Sequence, residues 1–358
     1  MKYLFIISSL FFTFQLNAQL NFSVVNQFQS PLIMAMDSIV ISGKYEQITS
    51  ILIAKNGKVL FEKYYNENNI DSKHNTRSAT KTMATLLTGI AIDKGFVKSE
   101  KDKIFKYLQN KMPVKNPDNR KQNIIIEDLL TMSSTLECSD NNSFSRGNEE
   151  RMYIIEDWTK FYLDLPIRSY PWEPKPEKQK YGRAFSYCSA GAATMAEILQ
   201  SAVGMPLDDF AKQHLFKPLE IEDYTLNYTP HNILNTAGGS EYKSRDFLKL
   251  IQLLLNKGQW NGKQIISSSW IEKATIPKVN VYDDTDYGYL LWLKEFGNNK
   301  KYKSYYMSGN GGNKVLATPD LELTVVITST NYNNRNAHNY TDEIMNSYII
   351  PAIEKIKN

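Results

Sequence analysis

The sequence has few of the features that mark a metalloenzyme or a nucleic-acid-binding protein. Its four histidines, His74, His214, His231 and His338, lie far apart, and none falls in the HExxH spacing of a zinc site. The net charge of +4 is small for 358 residues. No basic block alternates with aromatic residues, as a nucleic-acid-binding surface would require. We therefore expect no metal and no nucleic-acid partner.

Long hydrophobic runs are also absent, except at the N-terminus. Residues 3–14 are mostly apolar, follow the positive charge of Lys2 and precede Leu16-Asn17-Ala18, a stretch that a signal peptidase can cleave. The run is too short to span a bilayer, which needs roughly 20 residues. Residues 1–18 are therefore predicted to be a cleavable signal peptide, with a plain N-terminal anchor as the alternative. The mature protein is expected to be periplasmic or secreted, without a stable membrane span.

Cysteine is rare, and its two copies do not form a CxxC pair. The count is even and the predicted compartment is oxidising, so we expect a disulfide between Cys138 and Cys188. Two buried free thiols are the alternative.

Hydrophobic periodicity predicts strands at both ends of the chain and helices between them. Two apolar runs flank Asn56-Gly57, a dipeptide that favours a tight hairpin turn. Apolar residues recur at helical spacing over residues 76–94, 190–203, 207–215 and 244–257. Residues 138–182 are irregular and rich in proline, which predicts surface loops. Near the C-terminus, residues 314–318 and 323–328 are predicted strands, and residues 340–356 are a closing helix that Pro351 should kink. The predicted fold class is α/β (α+β).

Ser78-Ala79-Thr80-Lys81 is the first candidate for catalysis. At the start of a helix, positions i and i+3 share a face, so the hydroxyl and the amine can touch and the amine can act as a base. The pattern alone is weak, because SxxK should occur about twice by chance in a chain this rich in Ser and Lys. A second copy begins at Ser240 and ends at Lys243. An N-cap serine followed by a solvated lysine is the alternative for Ser78.

Two further segments could contribute to the same site. Tyr187 precedes a predicted helix, and its phenol could relay protons. Residues 309–313, Gly-Asn-Gly-Gly-Asn, precede a predicted strand, and their backbone N–H groups could stabilise an oxyanion. A half-buried tyrosine and a simple turn are the respective alternatives.

Together these segments resemble a known series. Ser78-Ala79-Thr80-Lys81, then Tyr187-Cys188-Ser189, then Asn310-Gly311-Gly312 is similar in order and spacing to the SxxK, YxN and KTG/HxG motifs of class C β-lactamases. Related esterases, D-amino-acid peptidases and oligomer amide hydrolases share that series. Residues 128–134, Asp-Leu-Leu-Thr-Met-Ser-Ser, and the Ala237-Gly238-Gly239 segment also match the family's secondary motifs. The resemblance covers about residues 45–355.

This resemblance implies a site and a mechanism. Ser78 would be the nucleophile, with Lys81 and Tyr187 sharing the proton transfers, and no cofactor would be needed. Ser189 would bind Lys81 or the substrate amide. The N–H groups of Ser78 and Asn313 would form the oxyanion hole, within a binding segment of Asn310, Gly311, Gly312 and Asn313.

The resemblance also implies the architecture. It predicts a sheet of about five antiparallel strands with terminal helices on one side and a helical lobe on the other. The domain would cover residues 45–358, after an N-terminal extension at 19–44, with the helical lobe inserted at roughly residues 105–235.

Departures from the family pattern bear on the substrate. Ser189 replaces the usual Asn, and Asn310 replaces a Lys or His. We therefore expect an exported esterase or amidase that cleaves a small-molecule or peptide-like acyl substrate and prefers esters to β-lactams. The alternatives are a penicillin-binding sensor, a D,D-peptidase or β-lactamase, and a silent scaffold. A Ser-His-Asp triad lacks support because no GxSxG segment is present. Sequence does not define the oligomeric state.

Overall fold

The computed structural model describes residues 20–23, 28–169 and 174–356 of the protein. The predicted signal peptide lies outside these residues. The strands, in chain order, are β1 (Ile48–Lys55), β2 (Lys58–Tyr64), β3 (Lys73–Asn75), β4 (Tyr224–Thr225), β5 (Glu241–Lys243), β6 (Gln259–Trp260), β7 (Lys263–Gln264), β8 (Val279–Tyr282), β9 (Thr285–Tyr287), β10 (Trp292–Phe296), β11 (Tyr302–Gly309), β12 (Asn313–Thr318) and β13 (Leu323–Ser329).

The helices are distributed along the whole described chain. They are α1 (Pro31–Ile41), α2 (Thr82–Asp93), α3 (Ile126–Leu130), α4 (Glu149–Met152), α5 (Trp158–Asp164), α6 (Ser189–Val203), α7 (Leu207–Ala211), α8 (Ser244–Leu255), α9 (Ser268–Ala274), α10 (Ala337–Glu343) and α11 (Ile350–Glu354). A 3₁₀ turn at Arg77–Lys81 leads into α2. A π-helical turn at Ile344–Ile349 joins α10 to α11, one residue before Pro351. Proline removes one backbone donor, which accounts for the altered turn.

One large antiparallel sheet organises the molecule. Its eight strands follow the order β2-β1-β13-β12-β11-β10-β9-β8, so β1 from the N-terminal part pairs directly with β13 from the C-terminal part. The predicted hairpin is confirmed: β1 and β2 pair across Asn56-Gly57, whose φ angles are 52° and 72°. The mixed α/β class with an antiparallel sheet is likewise confirmed.

The sheet is covered on both faces. Alternate side chains of a strand point to opposite faces, and in β1 Leu52 belongs to one apolar core while Ile51 and Ile53 belong to another. The first core lies between the sheet and the central helices, among them α2, α6 and α8. The second lies between the sheet and the terminal helices α1 and α11.

Three features differ from the sequence prediction. The sheet has eight strands rather than about five, because residues 279–296 add β8, β9 and β10 to its edge. Residues 138–182 contain helices α4 and α5 and the buried Tyr162. In the predicted N-terminal extension, α1 packs Ile33, Met36 and Val40 into the second core.

Membrane-spanning helices were also sought in the described part of the chain. None of its helices combines the length and the apolar character needed to cross a bilayer.

Candidate active site

The nucleophile candidate lies where the chain passes from strand β3 into helix α2. Asn75 Oδ1 accepts a hydrogen bond from the N–H of Arg77 at 3.1 Å, and Arg77 has a φ of 54°. A left-handed residue that is not glycine is strained, and such strain often accompanies functional sites. The turn brings Ser78 and Lys81 onto one face, and the lysine Nζ donates to the serine Oγ at 2.8 Å. The i and i+3 contact predicted from the sequence is therefore present.

Lys81 is buried at the centre of this site. Its side chain is only 2% exposed, and its Nζ also donates to the carbonyl oxygen of Ala237 at 2.5 Å. The Ala237 backbone is held by Asn235, whose Oδ1 accepts its N–H at 2.8 Å. Among the described residues, no carboxylate forms a salt bridge with Lys81. In its neutral form, an amine in this position can accept the proton of the Ser78 hydroxyl.

Tyr187 lies beside the same pair of residues. Lys81 Nζ is 5.2 Å from the centroid of the tyrosine ring. The tyrosine ring stacks on Trp292 with a centroid distance of 6.1 Å. The backbone oxygen of Tyr187 accepts the N–H of Asp140 at 2.8 Å. Tyr187 and Ser78 line one cavity of about 570 Å³. Ser78, Lys81 and Tyr187, the three predicted catalytic side chains, thus lie together, although Tyr187 follows the other two by more than 100 positions.

The two cysteines connect the segments on the helical side of this cavity. Cys138 and Cys188 are joined by a disulfide, with their Cα atoms 5.4 Å apart. The bond holds the loop after residue 138 against the start of α6. Ser189, the first residue of that helix, is 1% exposed. Its hydroxyl has no hydrogen-bond partner among the described residues, so the predicted bond from Ser189 to Lys81 is not formed.

The third segment contacts the nucleophile through a different residue from the one predicted. A Cβ on Gly309 would lie 1.8 Å from the backbone oxygen of Thr76 and 3.0 Å from the nitrogen of Ala79. Only glycine allows so close an approach. The end of β11 therefore touches the Ser78 turn at Gly309. Asn310 follows directly and lines the cavity with Ser78.

The predicted role of Asn313 therefore has to be corrected. Asn313 is fully buried in β12; its Nδ2 donates to the backbone oxygens of Asn310 and Ser329, and its Oδ1 accepts the N–H of Ser329. Gly312 lies against Ala337, whose oxygen would be 2.2 Å from an added Cβ. These two residues stabilise the turn, whereas Asn310 and Gly311 line the cavity. The backbone N–H of Asn310 is thus a better candidate for the second oxyanion donor.

The side chain of Asn310 is also engaged elsewhere. Its Nδ2 donates to Asn333 Oδ1, and its Oδ1 accepts the Asn333 N–H, both at 2.8 Å. The amide is therefore fixed along the rim of the cavity and brings no positive charge into it.

The second SxxK copy does not form a comparable pair. The Ser240 hydroxyl accepts the N–H of Asn227 at 3.1 Å, and Lys243 forms salt bridges with Asp71 and Asp223. The two side chains belong to separate interactions because Ser240 directly precedes the strand β5 and Lys243 ends it, and in extended chain positions i and i+3 point to opposite faces.

Charged side chains that sequence analysis did not single out line the cavity. Lys314, 1% exposed, forms an ion pair with Asp342, which also binds Lys294 at 3.2 Å. Burial lowers the pKa of Lys314, although the charge of Asp342 opposes the shift. Asp140 accepts hydrogen bonds from the N–H groups of Ser189 (2.8 Å) and Glu149 (3.1 Å). A lone Asp in a proline-rich segment gives no signal of this role.

Arg183 and Lys301, which could also supply positive charge to a substrate, do not line the cavity. Arg183 binds Glu127 at 2.6 Å and Asp128 at 2.5 Å, and Lys301 donates to the backbone oxygen of Gly297. Within the described ranges, no group of three or more His, Cys, Asp or Glu side chains is arranged to hold a metal ion.

The geometry defines the class of the protein. A serine at the start of a helix accepts a hydrogen bond from a buried lysine, and a tyrosine ring lies beside the lysine amine. This is the arrangement of a serine hydrolase that uses lysine in place of histidine. The chain belongs to the beta-lactamase family, whose sequence profile matches residues 47–346.

Solved structures share the fold across most of the chain. A D-stereospecific amidohydrolase from a Streptomyces species has 14% identity and a TM-score of 0.64, over 87% of this chain and 98% of that one. A penicillin-binding protein homologue from Pyrococcus abyssi, an octamer, has 16% identity and a TM-score of 0.65, over 87% and 77%. A variant of simvastatin synthase from Aspergillus terreus has 13% identity and a TM-score of 0.69, over 91% and 96%. No curated protein sequence matches the chain.

Proposed function

We propose that the protein is an exported esterase or amidase that works through an acyl-enzyme on Ser78 and prefers esters to β-lactams. The observation that carries this proposal is the 2.8 Å hydrogen bond from the buried Lys81 amine to the Ser78 hydroxyl. A hydroxyl is a weak nucleophile unless a base removes its proton as it attacks. The export signal predicted at residues 1–18 accords with an acyl substrate met outside the cytoplasm.

In the acylation step, Ser78 Oγ forms a bond to the acyl carbon while Lys81 and Tyr187 take up its proton. The carbonyl electrons move to the oxygen, which is stabilised by the N–H groups of Ser78 and Asn310. When the tetrahedral intermediate collapses, the bond to the leaving group breaks and Tyr187 supplies that group with a proton. Water then attacks the acyl carbon and gives a proton to the same pair of residues. The bond between that carbon and Ser78 Oγ breaks, the pair returns the proton to Ser78, and the acid leaves.

A preference for esters follows from the charges around the cavity. In the β-lactamases that the sequence resembles, a lysine of the third motif would attract the substrate carboxylate. Here Asn310 supplies a neutral amide that is bonded to Asn333. Lys314 lies in the cavity lining, but Asp342 neutralises it. Hydrogen bonds to charged groups contribute about 1.5–3 kcal/mol against about 1 kcal/mol for neutral ones. Acylation by a β-lactam should therefore be roughly two- to thirtyfold slower than with a lysine at this position.

The test compares kcat/KM for 4-nitrophenyl butyrate and nitrocefin on the purified mature protein. We expect the ester to be the better substrate. Ser78→Ala should abolish turnover and the acyl adduct seen by mass spectrometry, whereas the matched variant Ser240→Ala, in the second SxxK copy, should retain both. An adduct on Ser240 would refute the assignment of the nucleophile.

Other outcomes would support the remaining alternatives. A burst of product without steady-state hydrolysis would indicate a penicillin-binding sensor, and a clear preference for nitrocefin would indicate a β-lactamase. The export proposal is tested separately by N-terminal sequencing of protein secreted from a bacterial host. Cleavage near Gln19 is expected, and retention of Met1 would contradict it.

A further inference from the structure

The cavity beside the nucleophile has an excess of negative charge. Four carboxylates and two lysines line it. Both lysines, Lys294 and Lys314, bind Asp342, and Lys294 also binds Asp284 at 3.1 Å. These four side chains neutralise one another. Burial lowers the pKa of His338, the histidine in the lining, so this side chain adds no positive charge near pH 7.

The two remaining carboxylates, Asp140 and Glu149, are not neutralised in this way. Neither forms a salt bridge with any residue in the described part of the chain; Asp140 accepts backbone N–H groups, and Glu149 accepts the hydroxyl of Tyr153 at 3.3 Å. Arg77, on the nucleophile turn, stacks on the ring of Tyr332 at 4.1 Å instead.

A buried hydroxyl group lies next to these carboxylates. The Ser189 hydroxyl is 1% exposed, forms no hydrogen bond of normal geometry with the described residues, and lies close enough to the Asp140 carboxylate to favour its charged form. Burial raises the pKa of Asp140 to about 6; the Glu149 charge adds to the shift, and the Lys81 charge opposes it. Asp140 and Glu149 are thus two half-buried carboxylates that accept hydrogen bonds from the described residues but have no ion-pair partner among them.

Aromatic rings line the same cavity as Asp140 and Glu149, the two carboxylates that form an acidic wall. Tyr187 and Trp292, stacked with an interplanar angle of 27°, line the same cavity as Asp140 and Glu149, and so does Tyr282. The faces of aromatic rings attract cations, and carboxylates combined with such rings favour an ammonium group. An anionic or purely apolar substrate would leave the two carboxylates without a partner.

We propose that the natural substrate carries an ammonium group, which Asp140 and Glu149 bind on the helical-lobe side of the cavity while Ser78 attacks the acyl carbon. This inference rests on the proposed function and specifies its substrate class. Asp140 and Glu149 act here as specificity-determining residues and take no part in the proton transfers. The ammonium ion supplies the missing positive charge, and the aromatic rings cover its alkyl groups.

The test uses two esters of the same shape, 4-nitrophenyl 4-(trimethylammonio)butyrate and 4-nitrophenyl 5,5-dimethylhexanoate, in which a tert-butyl group replaces the cation. We expect kcat/KM to be about tenfold or more higher for the cation, since interactions with a charged partner exceed neutral ones by about that factor. The preference should fall as ionic strength rises, because salt screens the partly exposed carboxylate.

Three variants locate the effect. Asp140→Asn and Glu149→Gln should each reduce the cation preference several-fold while the neutral ester is still hydrolysed. Glu150→Gln, at the exposed neighbouring position on the same helix, is the matched control and should retain the preference. Equal rates for the two esters, or a preference unchanged in both cavity variants, would overturn the inference.

A second measurement separates this inference from the proposed function. If neither ester is hydrolysed, the proposed function fails, but binding still decides the inference. Calorimetry on Ser78→Ala with 4-(trimethylammonio)butyramide and 5,5-dimethylhexanamide should give an affinity for the cation about tenfold higher. Equal affinities would refute the ammonium site without any reference to turnover.

Discussion

Replacement of Asp140 by Asn should change how the stability of the protein depends on pH. Burial raises the pKa of this carboxyl from its ordinary value of 3.8 to about 6; the neighbouring charges are Lys81, which opposes the shift, and Glu149, which adds to it. The native state therefore binds the proton more tightly than the unfolded state does. The stabilisation due to the protonated group is complete below pH 3.8 and is lost as the pH rises through about 6. At about 1.4 kcal/mol per pKa unit, the loss amounts to about 3 kcal/mol.

The measurement is the free energy of unfolding from urea titrations of both proteins between pH 4 and pH 8. Asn does not titrate, so the wild type should lose about 2–3 kcal/mol relative to Asp140→Asn across this range. Asn provides one acceptor where the carboxylate accepts two N–H groups. The lost hydrogen bond lowers the variant's free energy of unfolding by a similar amount at every pH and leaves its pH dependence unchanged. Asp320→Asn, at an exposed carboxyl, is the control. If the difference between wild type and Asp140→Asn is constant with pH, Asp140 ionises without cost and the reasoning is wrong.

Three further predictions concern the supports of the site. Gly309→Ala should lower kcat/KM at least tenfold and the free energy of unfolding by about 1–3 kcal/mol, because the added Cβ would push the Ser78 turn away. Activity assays and urea titrations measure the two effects. Wild-type activity in this variant would contradict the prediction. The unreduced, denatured protein should show no reactive thiol, and replacement of Cys138 and Cys188 by Ser should cost up to about 4 kcal/mol for a separation of 50 residues; two labelled thiols would contradict the bond. Asp342→Ala should lower the free energy of unfolding by about 3 kcal/mol, since it leaves Lys314 buried without its ion-pair partner. Adding Lys314→Met should recover most of this loss in urea titrations. Equal stability of Asp342→Ala and the wild type would argue against a stabilising pair.

The sheet was predictable from the sequence where turn chemistry and periodicity agree. Asn56-Gly57 marks the hairpin, and the predicted strands at residues 314–318 and 323–328 correspond to Asn313–Thr318 and Leu323–Ser329. The edge strands were missed because they are short: β9 has three residues, too few for an alternating pattern to be recognised.

The contact between Ser78 and Lys81 was predictable because it is local. Three positions separate Ser78 from Lys81, and any helical turn brings such residues together. The oxyanion donor was misplaced because the glycine-rich string offers several equivalent positions. What distinguishes them is the contact of Gly309 with the backbone of Thr76, and that contact depends on how β11 packs against the Ser78 turn.

The acidic wall formed by Asp140 and Glu149 shows a third kind of limit: the sequence predicts the disulfide, but not which side chains that bond brings together. Asp140 lies two residues after Cys138, and Ser189 directly follows Cys188. The disulfide fixes these two backbones beside each other, which allows the carboxylate to accept the N–H of Ser189 at 2.8 Å. The same bond holds Tyr187 next to the loop that carries Asp140. In the proposed mechanism the disulfide would therefore hold the ammonium-binding carboxylate beside the proton-transfer residue Tyr187, although neither cysteine takes part in the chemistry.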